Sequence, residues 1–136
     1  MIYLKYNENE LKKLCRKYGL SLVVLHGSFV KGTANFKSDI DVGILGDPKV
    51  IKDKYFDIIR DFSSIFGDKF DPVFLNGAEP MITYQVAMNG RPLYEKTKGL
   101  FNSFKMYTLV RYMDTKKFRL LEKQYIKSAI KRQKHG

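Results

Sequence analysis

The stretch that decides the fold is LSLVVLHGSFVKGTANFKSDIDVGIL, residues 20–45. It contains two apolar runs, at residues 20–25 and 39–45, and each is typical of a buried strand. The segment between them is rich in glycine and small polar residues, so we expect a turn or loop with one short helical turn. The first run leads into a Gly-Ser pair, and the second opens with an Asp-Ile-Asp triplet. The stretch therefore predicts two strands with polar side chains at their connection.

Helices are predicted on both sides of this unit from capping signals and apolar periodicity. Asn7 followed by Glu10 forms a capping pair, and Asp47 followed by Pro48 is a typical helix start. Apolar residues then recur at threes and fours in both segments. The last helix is expected to break around Asp114. The predicted helices cover residues 8–18, 48–66, 80–88 and 100 to near the end of the chain.

A third strand is predicted at residues 69–75, and residues 91–95 predict a brief extended piece. Pro72 removes one backbone donor from the third strand, which favours an edge position or a bulge. A turn is expected at residues 76–79. This order of elements predicts an α+β domain in which helices flank a small mixed β-sheet.

Positive charge is concentrated at the end of the chain. Of the net charge of +11, residues 96–136 carry +10, from twelve Lys or Arg against two acidic residues.

Lys5 and Glu8 interrupt the first apolar residues, so we expect no signal peptide, no membrane association and a cytoplasmic protein. Cys15 is the single cysteine, and we expect it in the core.

Acidic residues supply the first half of a candidate site. Asp39 and Asp41 are two positions apart on a predicted strand, so they project to one face while Ile40 and Val42 point into the core. Two carboxylates this close repel each other, and a divalent cation relieves the repulsion. Carboxylate oxygens are the ligands that Mg²⁺ prefers. Asp71 on the third predicted strand is the candidate third carboxylate.

The Gly-Ser pair supplies the second half. A glycine at the end of a strand lets the backbone approach a phosphate closely, and exposed N–H groups with the Ser28 hydroxyl form an anion cradle. Lys31 and Lys37 can add positive charge to this loop, and Lys31 is nearer to Gly27. The chain has neither a P-loop nor a G-x-G-x-x-G run, which argues against those nucleotide sites.

Taken together, these residues resemble a known family. The segments from Gly27 to Gly32 and from Ser38 to Val42 are similar to the signature of the minimal nucleotidyltransferases, small members of the DNA polymerase beta superfamily. The resemblance extends more loosely to residues 71–75, 87–95 and 111–114. It implies the polymerase-beta-like nucleotidyltransferase fold, with a catalytic core in residues 1–95 and a basic C-terminal helical extension of the same domain in residues 96–136.

The resemblance also implies an activity and its residues. The implied reaction transfers AMP from ATP to a hydroxyl group with the help of Mg²⁺, most simply two ions. Asp39, Asp41 and Asp71 are then the catalytic and metal-binding residues, with Asp71 helping to activate the acceptor. The expected nucleotide-binding residues are Gly27, Ser28, Lys31 and Ser38.

Two residues depart from the family's pattern. His26 stands where an aromatic residue is usual, and we interpret it as a partly buried residue at a strand end rather than a catalytic base. Pro72 directly after Asp71 could displace that carboxylate, in which case Asp68 is its nearest substitute.

By the same resemblance, the acceptor is a tyrosine of a partner HEPN-domain toxin, and this chain is the antitoxin of a toxin-antitoxin pair. Two alternatives stay open: transfer to RNA ends or a small molecule, and a non-catalytic antitoxin that neutralises by binding. The basic last helix has an apolar stripe of Phe118, Leu121 and Tyr125 at helical spacing. This helix could dock on the domain itself or a partner, bind RNA through its charge, or simply be solvated.

Overall fold

The computed structural model describes the backbone of residues 3–135 and the side chains up to residue 133. Four strands and six helices follow one another along the described chain in nearly the predicted order. Their bounds are α1 Glu8–Lys17, β1 Leu22–His26, α2 Ser28–Lys31, β2 Ile40–Leu45, α3 Pro48–Asp53, α4 Tyr55–Phe66, β3 Phe70–Phe74, α5 Pro80–Asn89, β4 Arg91–Glu95 and α6 Leu100–His135. Within residues 3–135, none of the helices has an apolar stretch long enough to cross a membrane.

The four strands form one mixed sheet in the order β3-β2-β1-β4. Strand β1 runs antiparallel to both β2 and β4, whereas β3 runs parallel to β2. The edge position predicted for the strand with Pro72 is confirmed. The Lys69 carbonyl and the Leu75 N–H form hydrogen bonds with β2. Backbone groups point to alternate sides along a strand, so odd-numbered residues of β3 face β2 and Pro72 faces the open edge, where no donor is required.

Helices cover both faces of this sheet. On the first face, Val42 and Ile44 are fully buried in a core that also contains Cys15 of α1 and Phe62 of α4. Burial raises the pKa of the Cys15 thiol to about 12, because the thiolate would be poorly solvated there. On the second face, α5 and the first part of α6 bury a smaller core. The predicted α+β class with a small mixed sheet is therefore confirmed, and so is the buried position of Cys15.

The predicted second helix is instead two helices. Lys54 leaves helical geometry, with φ −114° and ψ 20°, and separates α3 from α4. Asp47 caps the first of them by accepting a hydrogen bond from the Lys49 N–H at 2.9 Å. Neither glycine nor proline marks the interruption, and for this reason the apolar periodicity alone did not indicate it.

The predicted break around Asp114 is wrong, because α6 continues from Leu100 to His135. No glycine or proline lies within that range, and one exposed aspartate costs a helix only a fraction of a kcal/mol. Lys117 follows Asp114 at the i+3 position, where the opposite charge is favourable. The single acidic residue was too weak a signal to end the helix.

Helix α6 has two halves with different surroundings. In the first half, Phe101, Phe104 and Thr108 are buried against the domain, and Tyr112 stacks on Tyr84 of α5 with ring centres 4.0 Å apart. From residue 116 to residue 133, every side chain except Ala129 is exposed. The second half therefore projects beyond the body of the domain.

Candidate active site

A row of three titratable side chains crosses three neighbouring strands. His26 of β1 is the register partner of Asp41 of β2, and Asp41 is also the register partner of Asp71 of β3. Ile40 and Val42 belong to the first core, so Asp41 between them points to the opposite face of the sheet. The fold thus brings the predicted acids of two strands together and adds a histidine from a third.

The carboxyl groups of Asp41 and Asp71 lie close enough to interact directly. The pKa of Asp41 is raised to about 6, first by burial, then by the charge of Asp71 and the hydrogen bond with it, and least by the charge of Asp39. Burial and the neighbouring carboxylates both disfavour the charged form of Asp41. Ionising Asp41 in this site therefore costs more free energy than ionising an aspartate in water.

Asp39 lies just before β2 and is exposed. It acts on Asp41 through its charge, without a hydrogen bond to it. Among the described residues, no three His, Cys, Asp or Glu side chains are grouped closely enough to hold a metal ion. The structure therefore joins Asp41 to Asp71 and leaves Asp39 at the rim of the site.

The chemistry of this site suits a hard divalent cation. Its donors are carboxylate oxygens, which Mg²⁺ prefers over nitrogen or sulfur ligands. A cation would also offset the repulsion between the two acids, because it places positive charge between them. Asp41 and Asp71 would hold such an ion, and Asp39 could join them from the rim.

Gly27 lies directly against the Asp41 carboxylate. It connects β1 to α2 with φ 75° and ψ −151°, a backbone conformation that residues with a side chain rarely adopt. A Cβ atom at this position would overlap the carboxylate of Asp41. Only glycine allows the strand end and the acid to come this close.

The other predicted nucleotide-binding residues lie around the same loop. Ser28 begins α2 and is half-buried, while Lys31 ends it and is exposed. The Ser38 hydroxyl accepts a hydrogen bond from the Asn35 N–H at 2.9 Å, and the Asn35 side chain accepts one from the Lys37 N–H at 2.8 Å. Ser38 therefore has a structural role in this loop, and its contact with a nucleotide stays a prediction.

The concern that Pro72 displaces Asp71 is answered by the register. Asp71 keeps its place opposite Asp41, because Pro72 occupies the next position, whose backbone faces the open edge of the sheet. Asp68 lies in the exposed turn before β3. Of these two aspartates, Asp71 is the one that contacts Asp41.

The role of His26 in this cluster was not predicted, although its position as a partly buried strand-end residue is confirmed. Its Nε2 atom is buried and has no hydrogen-bond partner among the residues that the structure describes. Burial lowers the pKa of His26, and the charge of Asp71 opposes that effect. The strand–turn–strand pattern could have indicated this role, because an antiparallel pairing of the two apolar runs can place His26 beside Asp41.

Paired acids beside a glycine turn on a small mixed sheet are the arrangement expected of a nucleotidyltransferase. The sequence profile described as "Polymerase beta, Nucleotidyltransferase" matches residues 9–99, which contain every predicted site residue. The chain belongs to the polymerase beta nucleotidyltransferase family. The predictions of this family and of an enzyme of the nucleotidyltransferase class are confirmed.

Similar proteins are known by sequence and by structure. The protein adenylyltransferase MntA of Aphanizomenon flos-aquae is 28% identical over 139 residues, covering 92% of this chain and 90% of the relative. The MntA of Shewanella oneidensis is 30% identical over 90 residues, 65% of each chain. A chain in a crystal structure of a toxin-antitoxin with AMP-PNP superposes with a TM-score of 0.68 at 26% identity, covering 88% of this chain and 98% of its own.

A further structure supports the fold alone. It contains a tri-AMPylated Shewanella oneidensis HEPN toxin in complex with an MNT antitoxin, and a chain in it superposes with a TM-score of 0.62 at 23% identity, covering 88% of this chain and 94% of its own. The resemblance to minimal nucleotidyltransferases thus agrees with relatives found both by sequence and by structure.

Proposed function

We propose that this protein is an Mg²⁺-dependent adenylyltransferase that moves AMP from ATP to a tyrosine hydroxyl of a HEPN-domain toxin and thereby acts as its antitoxin. The observation that carries the proposal is the contact of Asp41 with both Asp71 and Gly27, within the segment that matches the family. The protein would act in the cytoplasm, where ATP is available. Residues 1–95 would be the catalytic core and residues 96–136 its helical extension.

Each site residue has a role in this reaction. The acceptor oxygen forms a bond to the α-phosphorus of ATP, the bond from that phosphorus to the pyrophosphate oxygen breaks, and the hydroxyl proton passes to a base, for which Asp71 is the candidate. Bound Mg²⁺ would supply charge neutralisation for the leaving pyrophosphate. Asp39, Asp41 and Asp71 would hold it.

The loop after β1 would bind the triphosphate. The first N–H groups of α2, at Ser28 and Phe29, have no acceptor within the helix, as at every helix start. Gly27 lets this backbone approach phosphate oxygens, the Ser28 hydroxyl can donate to them, and the exposed ammonium of Lys31 adds positive charge.

The proposal is tested by incubating the purified protein with a HEPN-domain partner, ATP and Mg²⁺, followed by intact-mass spectrometry of both proteins. We expect AMP adducts on the partner, located on a tyrosine by peptide sequencing, and none when Mg²⁺ is chelated. Adducts on added RNA or a small molecule, with none on the partner, would favour the alternative acceptors. Toxin neutralisation without any adduct would support the binding-only antitoxin.

We also propose that the exposed half of α6 holds the partner. Its apolar stripe consists of Phe118, Leu121 and Tyr125, whose exposed fractions are 67%, 56% and 71%. The stripe therefore does not dock on this domain, which leaves a partner, RNA or a simply solvated helix among the predicted uses. A surface helix that presents three large apolar side chains in a row favours a protein partner, because burying apolar area stabilises protein association.

The double substitution Leu121→Glu/Tyr125→Glu should weaken partner binding at least about tenfold, because it places charge in the centre of the apolar contact. Isothermal titration calorimetry with the partner measures the effect, and circular dichroism checks the helix. Phe56→Glu is the matched control, because Phe56 is 83% exposed on α4, away from the stripe. Partner affinity equal to that of the wild type in the double variant would contradict this placement.

A further inference from the structure

The buried Nε2 atom of His26 has no hydrogen-bond partner among residues 3–135, and His26 lies beside Asp41 in the candidate site. Leaving a buried polar atom unpaired destabilises a protein, so most such atoms in folded proteins are satisfied. An atom that stays unpaired in one state of a protein often gains its partner in another. The position of His26 indicates which partner that is.

His26 shares one face of the sheet with the acids. Val24, two residues earlier on β1, belongs to the second core, so His26 points to that same face. Asp41 points there from β2, directly opposite His26 in the antiparallel register. Opposite residues in such a pair have Cβ atoms about 4.5–5.5 Å apart, within reach of an imidazole and a carboxylate.

The Asp41 carboxylate is also turned toward β1. One of its oxygens occupies the space where a Cβ of Gly27 would be, and Gly27 follows His26 in the chain. A carboxylate has two oxygens with about four acceptor positions, so Asp41 can hold a cation with some of them and accept a hydrogen bond from His26 with another.

We propose that His26 is a positioning residue whose Nε2–H donates a hydrogen bond to the Asp41 carboxylate when the site holds its cation. This inference rests on the proposed function, because it describes the same metal site. It gives the unpaired Nε2 atom a partner and fixes the direction of the Asp41 oxygens. A histidine suits this place better than Lys or Arg, because a neutral imidazole donates without repelling the cation. Burial lowers the pKa of His26, which favours this neutral form.

The test separates the hydrogen bond from the shape of the ring. His26→Gln keeps an N–H donor close to the Nε2 position, whereas His26→Phe keeps the ring and removes the donor. Mn²⁺ binding is measured by electron paramagnetic resonance in the absence of nucleotide, and thermal melting is measured without metal. We expect His26→Gln to bind Mn²⁺ within about threefold of the wild type and His26→Phe roughly tenfold more weakly, the usual effect of losing an outer partner of a metal ligand.

Without metal, His26→Phe should melt at the wild-type temperature or above it, because the unpaired buried nitrogen is gone. His26→Leu, which also lacks a donor, repeats the comparison if phenylalanine does not fit. Nitrogen NMR gives a direct readout, since the chain has only one other histidine, His135. The Nε2 proton of His26 should exchange more slowly with solvent when Mg²⁺ is added.

Two results would overturn the inference: Mn²⁺ affinity of His26→Phe equal to that of the wild type, or of His26→Gln as weak as that of His26→Phe. These results leave the proposed function intact, because they concern a variant in a protein that binds the metal. Failure of the wild type itself to bind Mn²⁺ or to transfer AMP would instead remove the proposed function.

Discussion

Asp41→Asn is expected to lower AMP transfer by about a hundredfold to a thousandfold, the scale on which enzymes lose rate when a group that stabilises transition-state charge is removed. The amide keeps the size of the side chain but supplies one neutral oxygen in place of a carboxylate. Asp71→Asn should have a similar effect, because Asp71 lies against Asp41 and would hold the same cation. Asp39→Asn should also reduce transfer, although it acts from the exposed rim.

The rate of adduct formation on the partner, followed by intact mass at saturating ATP, measures these losses. The matched control is Asp68→Asn, an exposed aspartate in the turn three residues before Asp71, which should keep the wild-type rate. Without metal, Asp41→Asn should melt at the wild-type temperature or higher, since one of two facing acids is neutralised. Full transfer by the Asp41→Asn variant would refute the assignment of this site.

Gly27→Ala is expected to reduce both ATP binding and transfer, the latter by about a hundredfold. The added methyl group would overlap the Asp41 carboxylate, so either the loop or the acid must move, and misplacement by about 1 Å at a reacting centre is enough for such a loss. The positive φ of Gly27, with ψ −151°, adds roughly 1–3 kcal/mol of backbone strain when alanine replaces it.

A second glycine separates these two effects. Gly77 has φ 72°, nearly the 75° of Gly27, but a Cβ there meets no heavy atom within 4 Å. Gly77→Ala should therefore lose stability in thermal melting through its positive φ alone and keep ATP binding, which is measured by calorimetry with a non-hydrolysable analogue. If both alanine variants transferred AMP equally well, the close contact between Gly27 and Asp41 would not be required for activity.

Much of this site could be predicted from local sequence. The alternation of Asp39 and Asp41 with Ile40 and Val42 indicated the face of the acids, and the glycine before Ser28 indicated a tight strand end. The edge position of the third strand followed from the missing donor of Pro72. Each of these features depends on a few neighbouring residues, so each can be predicted from a short segment of sequence.

What could not be predicted depends on register between distant segments. The pairing of Asp41 with Asp71 requires the parallel alignment of β2 with β3, which is set by how α3 and α4 pack on the first core. Likewise, the position of His26 opposite Asp41 requires the register of β1 against β2. The length of α6 was misjudged for another reason, because one charged residue is a weak signal in an otherwise uninterrupted helix.

The projecting half of α6 has a consequence for how an acceptor would be selected. From residue 116 onward it extends for about 30 Å at the rise of an α-helix. A toxin held on this arm would be tethered to the enzyme, and its hydroxyl groups would be offered at millimolar effective concentration. Substrate choice would then be governed by the tether rather than by a shaped acceptor pocket, and several hydroxyl groups within its reach could be modified in turn.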